Sequence, residues 1–355
     1  AQITAEDLDL SGTGIDSGTA STTITDSDGN GIGLGDTAST NGLDISTAEL
    51  QKITATGLEL VSGGNIDVDN VLAANTANVS GTLTLDSAAD INVLNNAIVI
   101  TNALALEADN QVDIDVAITT NAGNLTIDGD ADNAADTNDN IDIADGLTLA
   151  SGGSLTLDAT TGGIAGVNLT LNAADGVTLN DGLTTSGTLT VDADTDGADN
   201  DGTFTTVAAV SAGNNAISIT ANDIALGSTL SSGSTTTTIT DSDGTGVGLG
   251  DTAITNGLNI TGAELQNITA TGFEIATAGG VTVNNITAAN SNNLSGTTTL
   301  DATGLITFAT AASVFNTLAV EADGGVAVNV DLSTDTGALA IDSDIDNGDS
   351  GTLNF

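Results

Sequence analysis

The sequence predicts an all-β fold, a parallel β-solenoid with about three short strands in each coil of about 21 residues. Two observations carry that expectation. Short strands of alternating character recur: LTL at 83–85, LAL at 104–106, LTI at 125–127, LTL at 147–149, LTL at 169–171 and LTV at 189–191. Their first residues step by roughly 20–22, the length of one solenoid coil. A second series runs beside the first, with INV at 91–93, VDI at 112–114, LTL at 155–157 and VTL at 177–179. Its one long step spans an acidic insertion at 128–140. Apolar residues are spaced by two rather than by three or four, and Thr, Gly, Asn, Asp and Val dominate, so a helical reading fails. The segments between strands are mostly Gly, Asn, Asp and Ser, which are turn formers.

The second observation is a long internal repeat. TTITDSDGNGIGLG at 22–35 returns as TTITDSDGTGVGLG at 237–250, and LALEAD at 104–109 returns as LAVEAD at 318–323. The offset is roughly 215 residues throughout. Copy one therefore covers about 1–215 and a partial copy two about 216–355, within one continuous solenoid over 1–355. Both ends fall inside the pattern. The expectation is a chain that is cut from, or assembles into, something longer.

Composition fits a thin stacked coil. The 355 residues include no Pro, Cys, His, Met, Trp or Tyr, five Phe and one basic residue, Lys52, for a formal charge of −47. A narrow interior takes small aliphatic residues, and Pro would remove a ladder hydrogen bond. Without His or Cys there is no Ser–His or Cys–His nucleophile pair and no ordinary zinc site. One Lys and no Arg leave no phosphate clamp, so nucleic acid is repelled. No apolar run approaches the roughly 20 residues that span a bilayer, so membrane insertion is not expected. Paired carboxylates are everywhere and carry no information about glycoside hydrolysis. An enzyme is not expected.

At 145–166 the chain reads DGLTLASGGSLTLDATTGGIAG. This Gly-x-Leu-x-Leu-x-x-x-Gly-x-Leu-x-Leu pattern resembles the repeats of filamentous-haemagglutinin-like adhesins and autotransporter passenger domains, and SGTLTLD, SGGNIDV and SGTLTVDAD extend the likeness loosely over the chain. The resemblance implies a right-handed parallel β-helix exported from a bacterium to the cell surface or beyond. It implies a rigid fibre that associates with itself end to end or laterally, as a filament, sheath or matrix. The other role it implies is the stalk of an adhesin whose binding tip lies outside this segment.

Calcium is the one chemistry with suggestive spacing. In DADTDGADND, Asp192, Asp194 and Asp196 alternate before Gly197, as in the first half of an EF-hand loop, although Thr203 stands where the bidentate Glu would be. Asp26, Asp28 and Asn30 form a similar set, which returns as Asp241 and Asp243, and DGDADNAAD offers Asp128, Asp130 and Asp132. Its later counterpart is Asp342, Asp344 and Asp346. Ca2+ or other divalent cations are the expected partners, bound weakly. Asn-x-Ser/Thr sequons begin at Asn78, Asn124, Asn168, Asn259, Asn267, Asn285 and Asn293, and read as the polar face of strands. The Thr runs at 21–25 and 234–240 occur once per long repeat, which speaks for strand propensity rather than an ice-binding face. Lys52 is replaced by Asn267 in copy two and reads as a solvated side chain.

Overall fold

Alternation of aliphatic and polar residues produces short parallel strands stacked in register, and the fold is an all-β parallel solenoid. The computed structural model describes residues 1–37, 42–134, 138–197, 200–348 and 351–355. Its contacts divide the chain into two units, 1–173 with 178–183 and 174–177 with 184–355. The division does not coincide with the start of the second repeat copy.

In the first unit one sheet runs Gln2–Ala5, Thr22–Asp26, Leu58–Ser62, Thr82–Ser87, Ala103–Ala108, Leu125–Asp128 and Leu155–Asp158, each strand parallel to the next. Its inner residues form columns. Leu83, Leu104, Leu125 and Leu155 face one another in register, as do Leu85, Leu106, Ile127 and Leu157, and all are buried. Burying one such side chain contributes about 1.5–3 kcal/mol. A second sheet places Asp90–Leu94 between Ile66–Asp69 and Gln111–Ile114, and a third pairs Ile98–Ile100 with Ile118–Thr120.

Coil length is not constant. Leu83 to Leu104 and Leu104 to Leu125 are steps of 21 residues, but Leu125 to Leu155 is 30. That long coil corrects the strand series read from the sequence. Leu125 pairs with Leu155, not with Leu147, whereas Leu149 lies between Ile118 and Leu171 in another sheet. Val112 likewise continues to Ile141 rather than to Leu155. The insertion at 128–140 adds length to one coil, so a count at a fixed beat slips onto a neighbouring face.

The second unit repeats the design. Leu189–Asp192, Ile217–Ala221, Thr236–Asp241, Gly272–Thr277, Thr297–Ala302, Thr317–Ala322 and Leu339–Asp342 form one parallel sheet. Both copies of the long repeat share one irregularity. Ile32–Gly35 is flanked by Leu43–Ser46 on one side and Ile66–Asp69 on the other, and Val247–Gly250 is flanked by Leu258–Ile260 and Val281–Asn284. At the end of each central strand the backbone turns left-handed, at Gly35 (φ +91°) and Gly250 (φ +90°). A Cβ there would lie 1.9 Å from the Asp69 carbonyl oxygen, or 2.1 Å from that of Asn284.

Among the described residues are four short helices that were not expected: α1 (Thr47–Leu50), α2 (Ala73–Thr76), α3 (Gly262–Asn267) and α4 (Ala288–Ser291). Capping explains them. Ser46 Oγ accepts from the Glu49 amide while Glu49 Oε2 accepts from the Ser46 amide, and Thr261 and Glu264 repeat the exchange. The other carboxylate oxygen ties each helix to an earlier segment, Glu49 Oε1 accepting from Leu10 N–H and Glu264 Oε1 from Leu226 N–H. At α2 and α4, Asn75 and Asn290 accept from the amides of Leu72 and Thr287.

Candidate cation-binding turns

The acidic turns flagged by the sequence spend much of their oxygen on their own backbone. Asp26 is buried: its Oδ2 accepts from Gly31 N–H at 2.9 Å and Ser62 Oγ at 3.3 Å, and its Oδ1 from Asp28 N–H. Burial pushes its pKa up, but the donors from Gly31, Asp28 and Ser62 outweigh burial and hold it below the ordinary value. Asp28 in turn accepts from the backbone and side-chain amides of Asn30. Copy two keeps the core of this arrangement, with Asp241 Oδ2 accepting from Gly246 N–H at 2.9 Å and Thr277 Oγ1 at 2.6 Å. Asp243 lies in the same turn, two residues on.

In the 192–196 turn, Asp192 Oδ1 accepts from the Asp194 amide, and Asp194 Oδ1 accepts from Gly197 N–H. Gly197 sits at φ +52°, the left-handed turn that its position implied. Asp194 Oδ2 accepts from Ser242 Oγ at 2.5 Å, so two acidic turns separate in sequence meet through Ser242. Asp196 is exposed, and Ala198 and Asp199 of the motif lie outside the described residues.

Around 128–132 the sequence grouping is replaced by a spatial one. Asp132 is on the outer flank, capping the Ala134 amide. Asp130 is fully buried, and its Oδ2 accepts from Thr161 N–H at 2.7 Å. Thr161 Oγ1 donates to Asp139 Oδ2, also at 2.7 Å, and Asp139 is itself buried. Burial raises the pKa of Asp128, reinforced by the charges of Asp158, Asp130 and Asp181 against one backbone hydrogen bond. The pKa of Asp181 is raised by burial and by Asp158 and Asp130, despite a hydrogen bond from Ala159 N–H. Sequence spacing could not find Asp139, Asp158 and Asp181, because they arrive from later parts of the winding. Among the described residues no group of three or more acidic side chains is placed to hold a metal ion.

Asp128 also belongs to a column of carboxylates. Asp86, Glu107, Asp128 and Asp158 face one another on successive strands of the first sheet, and Asn180 Nδ2 donates to the last at 2.8 Å. In the second unit Asp301, Glu321 and Asp342 make the equivalent column. Neighbouring strands lie about 4.8 Å apart. Unit charges at that distance repel by roughly 0.9 kcal/mol even in water, and more beside protein.

The remaining polar motifs have local partners. Asn78 and Asn293 donate their amide nitrogens to the carbonyls of Gln51 and Gln266, each at 2.7 Å, and Asn267 donates to Leu226. Thr22 and Thr237 point inward and donate to Ser17 and Ser232, so alternate Thr residues of the Thr runs are not on the surface. Lys52 Nζ donates to the Leu10 carbonyl. An apolar space of about 10 Å³ lies between Leu34, Val68, Leu85 and Ile118. No family model, no curated protein and no solved structure matches this chain.

Proposed function

We propose that this chain is a structural element of an extracellular or cell-surface fibre, in which coils continue from one repeat block into the next. The observation that carries the reading is the outer edge of Leu339–Asp342. That strand pairs with Thr317–Ala322 on one side and has no strand partner on the other among the described residues. Leu339 is 40% exposed and Phe355 89% exposed, whereas Leu125 and Ile127, the copy-one counterparts of Leu339 and Ile341, are 0% exposed beneath Leu155 and Leu157. In copy one a further coil covers this surface. The same surface in copy two suits another coil of the same register, supplied by a second molecule.

Parallel backbone ladders resist extension along the winding, and an acidic surface keeps neighbouring fibres apart or joins them through divalent cations. Light scattering and electron microscopy of the purified chain across a concentration series test the assembly. Elongated oligomers that disappear in Leu339→Lys are expected. A chain that stays monomeric at every concentration, with and without divalent cations, sinks the self-assembling reading and leaves the adhesin stalk.

A further inference from the structure

Asp130 is the most deeply buried carboxylate of the acidic turns, 0% exposed, and only one of its oxygens has a donor, the Thr161 amide. The other, Oδ1, is sealed from solvent with no hydrogen-bond partner. The two donors of Thr161 go to two different acids, the amide to Asp130 and the hydroxyl to Asp139, so the buried carboxylates are gathered on one residue. The backbones of Asp139 and Gly162 are in close contact, a Cβ at residue 162 lying 1.4 Å from the Asp139 carbonyl oxygen. Asp128, Asp158 and Asp181 add negative charge around the same turn, and the only basic side chain of the protein is Lys52, bonded to Leu10. A buried carboxylate is strongly unfavourable unless it is paired or bound to a metal.

We infer that this turn binds a hard divalent cation of the calcium type, with Asp130 and Asp139 as its charged ligands. Two carboxylates balance a double charge. An all-oxygen set with no nitrogen or sulfur donor excludes the softer transition metals, and an irregular turn suits Ca2+ better than the strict octahedron of Mg2+. Backbone carbonyls and water complete the shell. With only two charged ligands the affinity falls in the weak range, Kd about 0.1–1 mM. The site does not depend on the fibre reading, since it lies within one unit of a single chain.

The test is calorimetric titration and thermal melting of the chelator-treated full chain at pH 7 in 150 mM salt (roughly physiological screening), with CaCl2 and with MgCl2. Calcium is expected to raise the melting temperature by about 3 °C or more at saturation, and magnesium by less. Asp130→Asn and Asp139→Asn should each lose that gain, while Asp132→Asn and Asp196→Asn keep it. Loss of folding is separable, because Asp130→Asn removes an uncompensated charge and should melt no lower than the parent in chelator. An unchanged calcium response in Asp130→Asn or Asp139→Asn overturns the assignment. So does a parent chain that takes up no calcium at 10 mM (about tenfold above the weakest expected Kd).

Discussion

Asp86 and Glu107 stand directly opposite one another on adjacent parallel strands, and the pKa of each is raised, by burial first and by neighbouring carboxylates second. Asp113, Asp128, Asp181, Asp192 and Asp223 are raised as well. A carboxyl with a raised folded pKa binds more protons folded than unfolded. Its stabilisation is complete below the ordinary value, 3.8 for Asp or 4.5 for Glu, and is lost as pH rises through the folded value. Asp26 is shifted the other way and contributes stability that disappears only as pH falls through its lowered value. The melting temperature should therefore climb as pH is lowered through the raised folded values toward the ordinary 4.5 of Glu and 3.8 of Asp. Scanning calorimetry that finds a flat or falling trend over that window contradicts the shifts.

Removing one charge from the column relieves two neighbours at once. Glu107→Gln keeps the side-chain shape between Asp86 and Asp128. It should stabilise the protein at pH 7 by about 1 kcal/mol, and by less at high salt. Urea denaturation at low and high ionic strength measures both.

Gly35→Ala and Gly250→Ala meet the same obstruction in the two repeat copies, a left-handed backbone and a carbonyl oxygen about 2 Å from the new carbon. Each should cost more than about 2 kcal/mol. Gly146→Ala, also left-handed (φ +74°) but with open space around the added carbon, should cost less. Chemical denaturation of the three variants gives the ranking, and equal losses would show that strain alone, not crowding, sets the penalty.

Ser46→Ala removes the acceptor for the Glu49 amide and half of the capping box. A loss of about 1 kcal/mol is expected, with faster hydrogen exchange at Glu49. Thr261→Ala should behave alike in copy two, because Glu264 makes the same bonds.

The stacking of Leu83 on Leu104 and Leu125 was legible because a two-residue alternation returned at a fixed step. Legibility stopped at the 128–140 insertion. Residue counting there assigned Leu147 to the column that Leu155 occupies, since nothing in a local strand motif marks which sheet it joins. Helices α1 and α3 were missed for a different reason. Propensity was judged over long windows, whereas a single turn needs only Ser-x-x-Glu or Thr-x-x-Glu, and those signals stand at 46–49 and 261–264. Asp192, Asp194 and Asp196 have metal-like spacing in sequence, yet Asp194 caps its own turn. Asp130 and Asp139 both accept from Thr161, a later residue that their own spacing does not reveal.

Lys52, the lone basic side chain, gives its proton donor to a backbone carbonyl and not to a carboxylate. The protein thus carries a formal charge of −47 whose neutralisation is left to the surrounding solution. Wherever such chains are packed together, their mobile counterions are confined with them and raise the local osmotic pressure. A dense layer of this protein would imbibe water and swell in dilute medium, then collapse when multivalent ions replace the monovalent ones.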